Sequence, residues 1–170
     1  MAKLIAYFSR ADENYFNGTL RYIQTGNTEI AARQLQGLTG ADLFRIEPIQ
    51  PYSKEYNACI EEAQEDQKRN ARPELKEYPD SLDEYDEIYL GYPNYWGTMP
   101  MAVFTFLEHF DFSGKVLHPF CTHEGSGMGR SEADIRKLCP DAIMKKGLSI
   151  HGSDVAQAKE RLKKWEEEES

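Results

Sequence analysis

Apolar residues come in short, separated bursts along this chain, and their spacing switches between two periods. Leu4-Ile5-Ala6-Tyr7-Phe8 is a continuous apolar run bounded by Ser9 and Arg10, which predicts a buried strand. After a polar stretch, Ile30, Ala31, Leu35 and Leu38 recur at helical spacing. Asn27 or Thr28 is the expected N-cap of that helix, and Gly37 to Gly40 its close. Ala41 to Ile46 alternates at period 2 and stops before Pro48, as a half-buried strand near a sheet edge would. Glu55 to Asn70 predicts a polar helix with little beyond Tyr56, Cys59, Ile60 and Ala63 to bury. Ile88 to Tyr92 is the next strand, ended by Pro93, and Met101 to Phe110 is a helix apolar nearly all round. Val116 to Cys121 reads as a strand in which Pro119 is an awkward member. A glycine-rich loop, Glu124 to Gly129, leads to a helix over about Ser131 to Leu138. Ala142 to Ile150 is a fifth strand and Ser153 to Trp165 a closing amphipathic helix. Glu166 to Glu169 opposes the dipole of that helix and is expected to fray.

Strands alternating with helices, with no repeat and no linker, predict one α/β domain over residues 1–170, built as a doubly wound sheet. Such sheets bind ligands outside the carboxyl ends of their strands, where strand order reverses. Three segments are thereby singled out: Ser9 to Thr28, Pro93 to Pro100, and Thr122 to Gly129.

Composition narrows the partners. A net charge of −9 argues against nucleic acid and anionic membranes, both of which need a basic face. The excess is local, since residues 61–89 hold eleven acids against four bases. No apolar run reaches the length of a membrane span, and Leu4 to Phe8 lacks the small-residue cleavage site of a signal peptide. Three cysteines without a CxxC spacing fit reduced thiols and a cytoplasmic location. Asn17-Gly18-Thr19 matches a glycosylation sequon, which without a secretory signal carries no weight.

Each singled-out segment has its chemistry. Thr25-Gly26-Asn27-Thr28 places backbone N–H groups, hydroxyls and an amide at a helix start, where they either cap the helix or hold a phosphate dianion. Arg10 adds charge to such an anion site or is a solvated loop residue. Neither a Walker A lysine nor a GxGxxG is present, which excludes nucleoside triphosphates and Rossmann cofactors. In Pro93-Asn94-Tyr95-Trp96-Gly97, two adjacent aromatics past a strand end either cover a planar ligand or pack down over the following helix. Thr122-His123-Glu124-Gly125-Ser126-Gly127 offers backbone donors and polar side chains to the edge of a heterocycle. Cys121-x-His123 is a weak metal pattern without a second ligand pair, and no metal is expected.

Tyr7-Phe8-Ser9-Arg10, Gly26-Asn27-Thr28, Leu90 to Pro100 and Pro119 to Gly127 together resemble a flavodoxin with an extended phosphate loop, over about Lys3 to Trp165. The resemblance implies a five-stranded parallel sheet of order 2-1-3-4-5 with helices on both faces, and non-covalent FMN. It puts Ser9, Arg10, Thr25, Gly26, Asn27 and Thr28 at the phosphate, with the insertion 11–24 leaving open which of Ser9, Arg10 and Thr25 reach it. It lays Pro93, Asn94, Tyr95, Trp96 and Gly97 against the ring, with Trp96 or Tyr95 stacking. Thr122, His123, Glu124, Gly125, Ser126 and Gly127 then meet the pyrimidine edge. The expected function is low-potential electron transfer by a cytoplasmic monomer or weak dimer serving redox protein partners or a small-molecule acceptor. An FMN-dependent NAD(P)H oxidoreductase of the quinone reductase type is the alternative. A receiver domain shares the fold but needs carboxylates at strand ends where this chain has Ser9 and Tyr92-Pro93. In a flavodoxin order, Glu74, Glu77, Asp80, Asp83, Glu84, Asp86 and Glu87 are expected at the end of the sheet opposite the ring.

Overall fold

The apolar run at the N-terminus becomes β1 (Ala2–Tyr7), flanked by a parallel strand on each side. The computed structural model describes residues 2–16 and 18–169, so the sequon's Asn17 lies outside the described residues. After β1 come β2 (Asp12–Phe16), β3 (Thr19–Ile23), α1 (Asn27–Thr39), β4 (Asp42–Arg45), α2 (Tyr56–Lys68) and β5 (Tyr85–Pro93). The chain continues through α3 (Met101–His109), β6 (Val116–His123), α4 (Ser131–Leu138), β7 (Ile143–Met144) and β8 (Leu148–His151). It closes with a 3₁₀ helix (Gly152–Gln157) and α5 (Lys159–Glu169). The main sheet has the order β4-β1-β5-β6-β7, with β8 also paired to β6, and every pairing in it is parallel. Counting only its principal strands, this is the expected 2-1-3-4-5 α/β arrangement. Two cores lie on its two faces. One gathers Leu4, Ile88, Leu90, Val103, Phe106 and Leu107 beneath α3, and the other gathers Ile5, Tyr89, Phe120, Leu35, Leu162 and Trp165 beneath α1 and α5.

Several expectations are corrected. The insertion after β1 is not a plain loop: β2 and β3 form a separate antiparallel hairpin. Alternation is hard to see there because the hairpin has no core beneath it, and Tyr15, Leu20 and Tyr22 stay exposed. The fifth strand is broken in two. β7 pairs with Val116 and Leu117, and β8 resumes opposite Phe120. Pro119 stands opposite the break, which is where an interior proline is tolerated. Gly147 crosses the gap so tightly that a Cβ there would lie 3.2 Å from Pro119 Cγ. The closing helix is likewise a 3₁₀ segment followed by α5, which runs on to Glu169. Tertiary contacts offset its unfavourable dipole: Glu166 reaches Lys3 Nζ at 3.7 Å, and the Lys146 amide donates to the Glu169 carboxylate at 3.4 Å. The N-cap of α1 is Gly26, one residue before the expected pair. Glu74 lies elsewhere than expected, because residues 74–76 run back along 47–49, beyond the carboxyl end of β4. Asp80, Asp83 and Glu84 do line a groove beside Leu4 and Tyr85, at the end where β1 and β5 begin.

One buried polar pair makes stability depend on pH. The His118 ring has no exposure, stacks on Tyr89 at 4.6 Å and meets Glu87 Oε1 at 3.0 Å through Nε2. Its Nδ1 is buried without a partner among the described residues. Burial pushes the imidazole below its ordinary value, outweighing the opposite pull of Glu87. The unfolded chain therefore takes up the proton first as pH falls. Stability is expected to be level above about pH 6.5 and to decline below it, toward the lower folded value. Urea midpoints between pH 7.5 and 5.5 check this, with His118→Gln expected to flatten the slope.

Candidate functional site

The carboxyl ends of β1, β5 and β6 open onto one cleft of about 470 Å³. Just past the β1 end, the Ser9 hydroxyl accepts the Glu29 amide at 3.0 Å, so a side chain from the segment after the strand caps the helix that Gly26 begins. Strand and helix can come this close only because residue 26 has no side chain: a Cβ there would fall 2.2 Å from Ser9 Oγ and 2.7 Å from the Arg10 carbonyl. Within α1, the Ile30 amide is taken by the Gly26 carbonyl. The start of the helix at Asn27 and Thr28 faces the cleft, carrying the positive end of its dipole. Thr28 Oγ1 lies 2.7 Å from Thr122 Oγ1, which ties the helix start to the end of β6.

Ser9, Arg10, Asn27 and Thr28 line the cleft, whereas Thr25 and Gly26 are not in its lining. Arg10 is neither a solvated residue nor a freely offered cation. Its terminal nitrogens donate to the carbonyls of Glu13, Ser53 and Lys54, pinning the base of the hairpin to the segment before α2. Its Nε is buried without a partner among the described residues.

The loop after β5 is shaped by its own side chains. Asn94 accepts the Gly97 amide at 2.9 Å and donates to the Gly127 carbonyl at 2.8 Å, and Gly97 in turn accepts the Arg130 amide at 2.7 Å. Gly97 has φ +89°, a left-handed turn that suits glycine. The two aromatics part ways. Tyr95 turns inward against Phe8 and Tyr52, and burial drives its phenol far above the ordinary value. Trp96 stays on the rim, 44% exposed, with its indole N–H donated to the Ile60 carbonyl at 2.7 Å. The ring therefore leans on α2, not on the following helix.

At the end of β6 and in the loop that follows, Thr122, His123, Glu124 and Ser126 line the cleft, while Gly125 and Gly127 supply positive φ to the turn. His123 Nδ1 accepts the Gly125 amide at 2.8 Å, so in the neutral ring the proton sits on Nε2. Burial, then His151 and Arg161, lower its affinity for a second proton. Cys121 is buried, with its thiol directed at backbone carbonyls. Among the described residues, no group of three His, Cys, Asp or Glu could hold a metal ion.

The remaining wall comes from residues outside the three singled-out segments' expected roles: Asn14 and Tyr15 on the hairpin, and Tyr56, Cys59, Ile60 and Ala63 on α2. The α2 residues had a visible signal. They are the thin apolar stripe of an otherwise polar helix, and here much of that stripe serves a cleft. No helix among the described residues is long and apolar enough to cross a membrane.

A family model described as Flavodoxin matches residues 19–169. A flavoprotein candidate from Bacteroides eggerthii DSM 20697 is similar at 28% identity and a TM-score of 0.72, covering 95% of this chain and 97% of that one. One from Bacteroides uniformis ATCC 8492 is similar at 27% identity and a TM-score of 0.74, over 98% and 97% of the two chains. The flavoprotein in complex with FMN from Lactobacillus acidophilus NCFM shares the fold at 17% identity and a TM-score of 0.68, over 92% and 97%. No curated protein sequence matches the chain at a significant level.

Proposed function

Because the chain belongs to the flavodoxin family, we propose that the cleft binds FMN and that the protein works as an electron carrier. One observation carries this reading: a dipole-bearing helix start and an exposed aromatic rim open onto the same cleft, with hydrogen-bonded loops between them. The residues suit the group. A phosphate dianion finds the amides of Asn27 and Thr28, the Ser9 hydroxyl and the unpartnered Arg10 Nε, a donor set that needs no lysine. Trp96 covers the planar ring, and the fixed Nε2–H of His123 with the Thr122 to Ser126 loop serves its polar edge. FMN, when bound, supplies one- and two-electron chemistry. The protein's part is to hold the phosphate and to tune the ring with a low-dielectric wall and fixed donors.

A second reading, an FMN-dependent NAD(P)H oxidoreductase, is favoured by the charge at the cleft. Its lining holds one arginine and one glutamate, and none of the eleven acids of residues 61–89 is in it. A cleft this close to neutral gives little long-range steering toward a charged protein partner.

Both readings expect a purified protein that is yellow or takes up FMN with quenching of its fluorescence. Trp96→Ala is expected to weaken FMN binding about three- to tenfold, the range of one aromatic contact. A chain that retains no flavin sinks the proposal. Steady-state kinetics then separate the two readings. NADH or NADPH oxidation near the rate of free flavin supports the carrier, and enzyme-like turnover with a quinone supports the oxidoreductase.

A further inference from the structure

The first turn of α1 carries a carboxylate, Glu29, two residues after Asn27. A glutamate at this place ordinarily folds back to accept the amide of the residue that begins the helix, here Gly26. In this chain both of its oxygens are engaged elsewhere. Arg45, at the end of β4, donates to Glu29 Oε1 at 2.7 Å, and Arg33 donates to Oε2 at 2.9 Å. We propose that Arg45 is a positioning residue for the flavin phosphate: with Arg33 it draws Glu29 aside, so that the helix start stays open to a dianion. The proposal rests on the FMN reading above and assigns a task to residues outside the cleft.

The usual reciprocal cap of a helix start is here taken apart. Gly26 has no side chain to offer, and the Ser9 hydroxyl accepts the Glu29 amide in its place. The amides of Gly26, Asn27 and Thr28 have no acceptor within the helix, and a carboxylate of the same turn competes with a phosphate for them. The Glu29 side chain is only 14% exposed, so its charge calls for partners inside the protein. Arg45 supplies more than charge. It stands opposite Tyr7 in the pairing of β4 with β1, and its Nη2 donates to the Ser9 carbonyl at 3.2 Å. One guanidinium thus joins the segment after β1 to the first turn of α1. Glu47 approaches Arg45 Nε at 3.6 Å but is shared with Lys76 Nζ at the same distance, so Arg45 keeps its hold on Glu29. Glu29, Arg33 and Arg45 are all absent from the cleft lining. They act on a ligand through the helix start and through their charge, without touching it.

The test titrates FMN into the flavin-free full chain by fluorescence quenching, with a thermal melt of each variant beside it. Arg45→Gln is expected to weaken FMN about tenfold, and Arg45→Lys, which keeps the charge, by no more than about threefold. Adding Glu29→Gln to Arg45→Gln is expected to bring FMN back to within about threefold of wild type, because the competing charge is gone. A merely structural loss would instead deepen with the second substitution. Arg33→Gln, at an exposed site, is expected to weaken FMN about threefold, and Glu29→Gln again removes the deficit. That second pair decides the matter if Arg45→Gln does not fold. Arg136→Gln, which removes an exposed arginine of α4, is expected to change nothing. Arg45 and Arg33 variants that bind FMN like wild type overturn the proposal and leave the FMN reading standing. So does Arg45→Lys or the double variant if it is as weak as Arg45→Gln, and so does an equal loss in Arg136→Gln. A wild-type chain that takes up no FMN sinks both readings together.

Discussion

Gly26→Ala is expected to weaken FMN binding by a hundredfold or more while leaving the fold in place. The new Cβ would stand 2.2 Å from Ser9 Oγ and 2.7 Å from the Arg10 carbonyl oxygen. Rotating Ser9 answers the first clash but gives up its hydrogen bond to the Glu29 amide; nothing short of moving the backbone answers the second. The end of β1 and the start of α1 must then separate, and the phosphate donors lose their common geometry. A hundredfold is about 2.8 kcal/mol, within the usual reach of overpacking at a rigid site. Residue 26 itself has φ −64° and ψ 153°, which alanine adopts freely, so no backbone strain is added. Losing the Ser9 cap costs the fold about 1 kcal/mol, or a Tm lower by roughly 2–4 °C. Fluorescence titration with FMN beside a thermal melt separates these effects; retention of FMN within threefold of wild type would contradict the placement of the phosphate here.

Gly91→Ala is expected to act on stability itself. Gly91 lies in β5, between Tyr7 of β1 and Phe120 of β6. An added Cβ would sit 2.3 Å from Phe120 Cζ, with two more ring carbons within 2.9 Å. Phe120 is fully buried and edges against Trp165 at 6.2 Å, so its ring has nowhere to retreat. The cost is about 3 kcal/mol, the upper part of the range for core overpacking. For a chain of this length that lowers Tm by roughly 6–12 °C. Adding Phe120→Leu to Gly91→Ala is expected to recover part of the loss, although Phe120→Leu alone destabilises. Urea denaturation of the two single variants and the double variant measures the coupling. Simple additivity would show that the clash is not the cause.

The main sheet was readable from sequence because burial on both faces leaves continuous apolar runs, as in Leu4 to Phe8 and Ile88 to Tyr92. The broken fifth strand was not, since Lys145 to Gly147 interrupts it only in the context of Pro119 opposite. The hairpin escaped because neither face of it is buried, and without burial the period of two carries no signal. Asn27 and Thr28 were found through helix-start chemistry. The cap itself was not, because Ser9 supplies it from far away in sequence. Tyr95 and Trp96 look alike in sequence, and only the packing of Phe8 and Tyr52 decides which ring turns inward. Arg10 was read for its charge, while its fixed task is to satisfy carbonyls of residues 53 and 54.

The bonds that join the loops to one another have a kinetic consequence. Thr28 to Thr122, Asn94 to Gly127 and Gly97 to Arg130 hold the rim of the cleft through the protein's own atoms. An entering molecule meets walls already in position, so little chain entropy is spent on arrival. Association should then be governed by encounter and orientation, near the ordinary range of about 10⁵–10⁷ M⁻¹s⁻¹. Differences in affinity among rim variants should accordingly show up as differences in residence time.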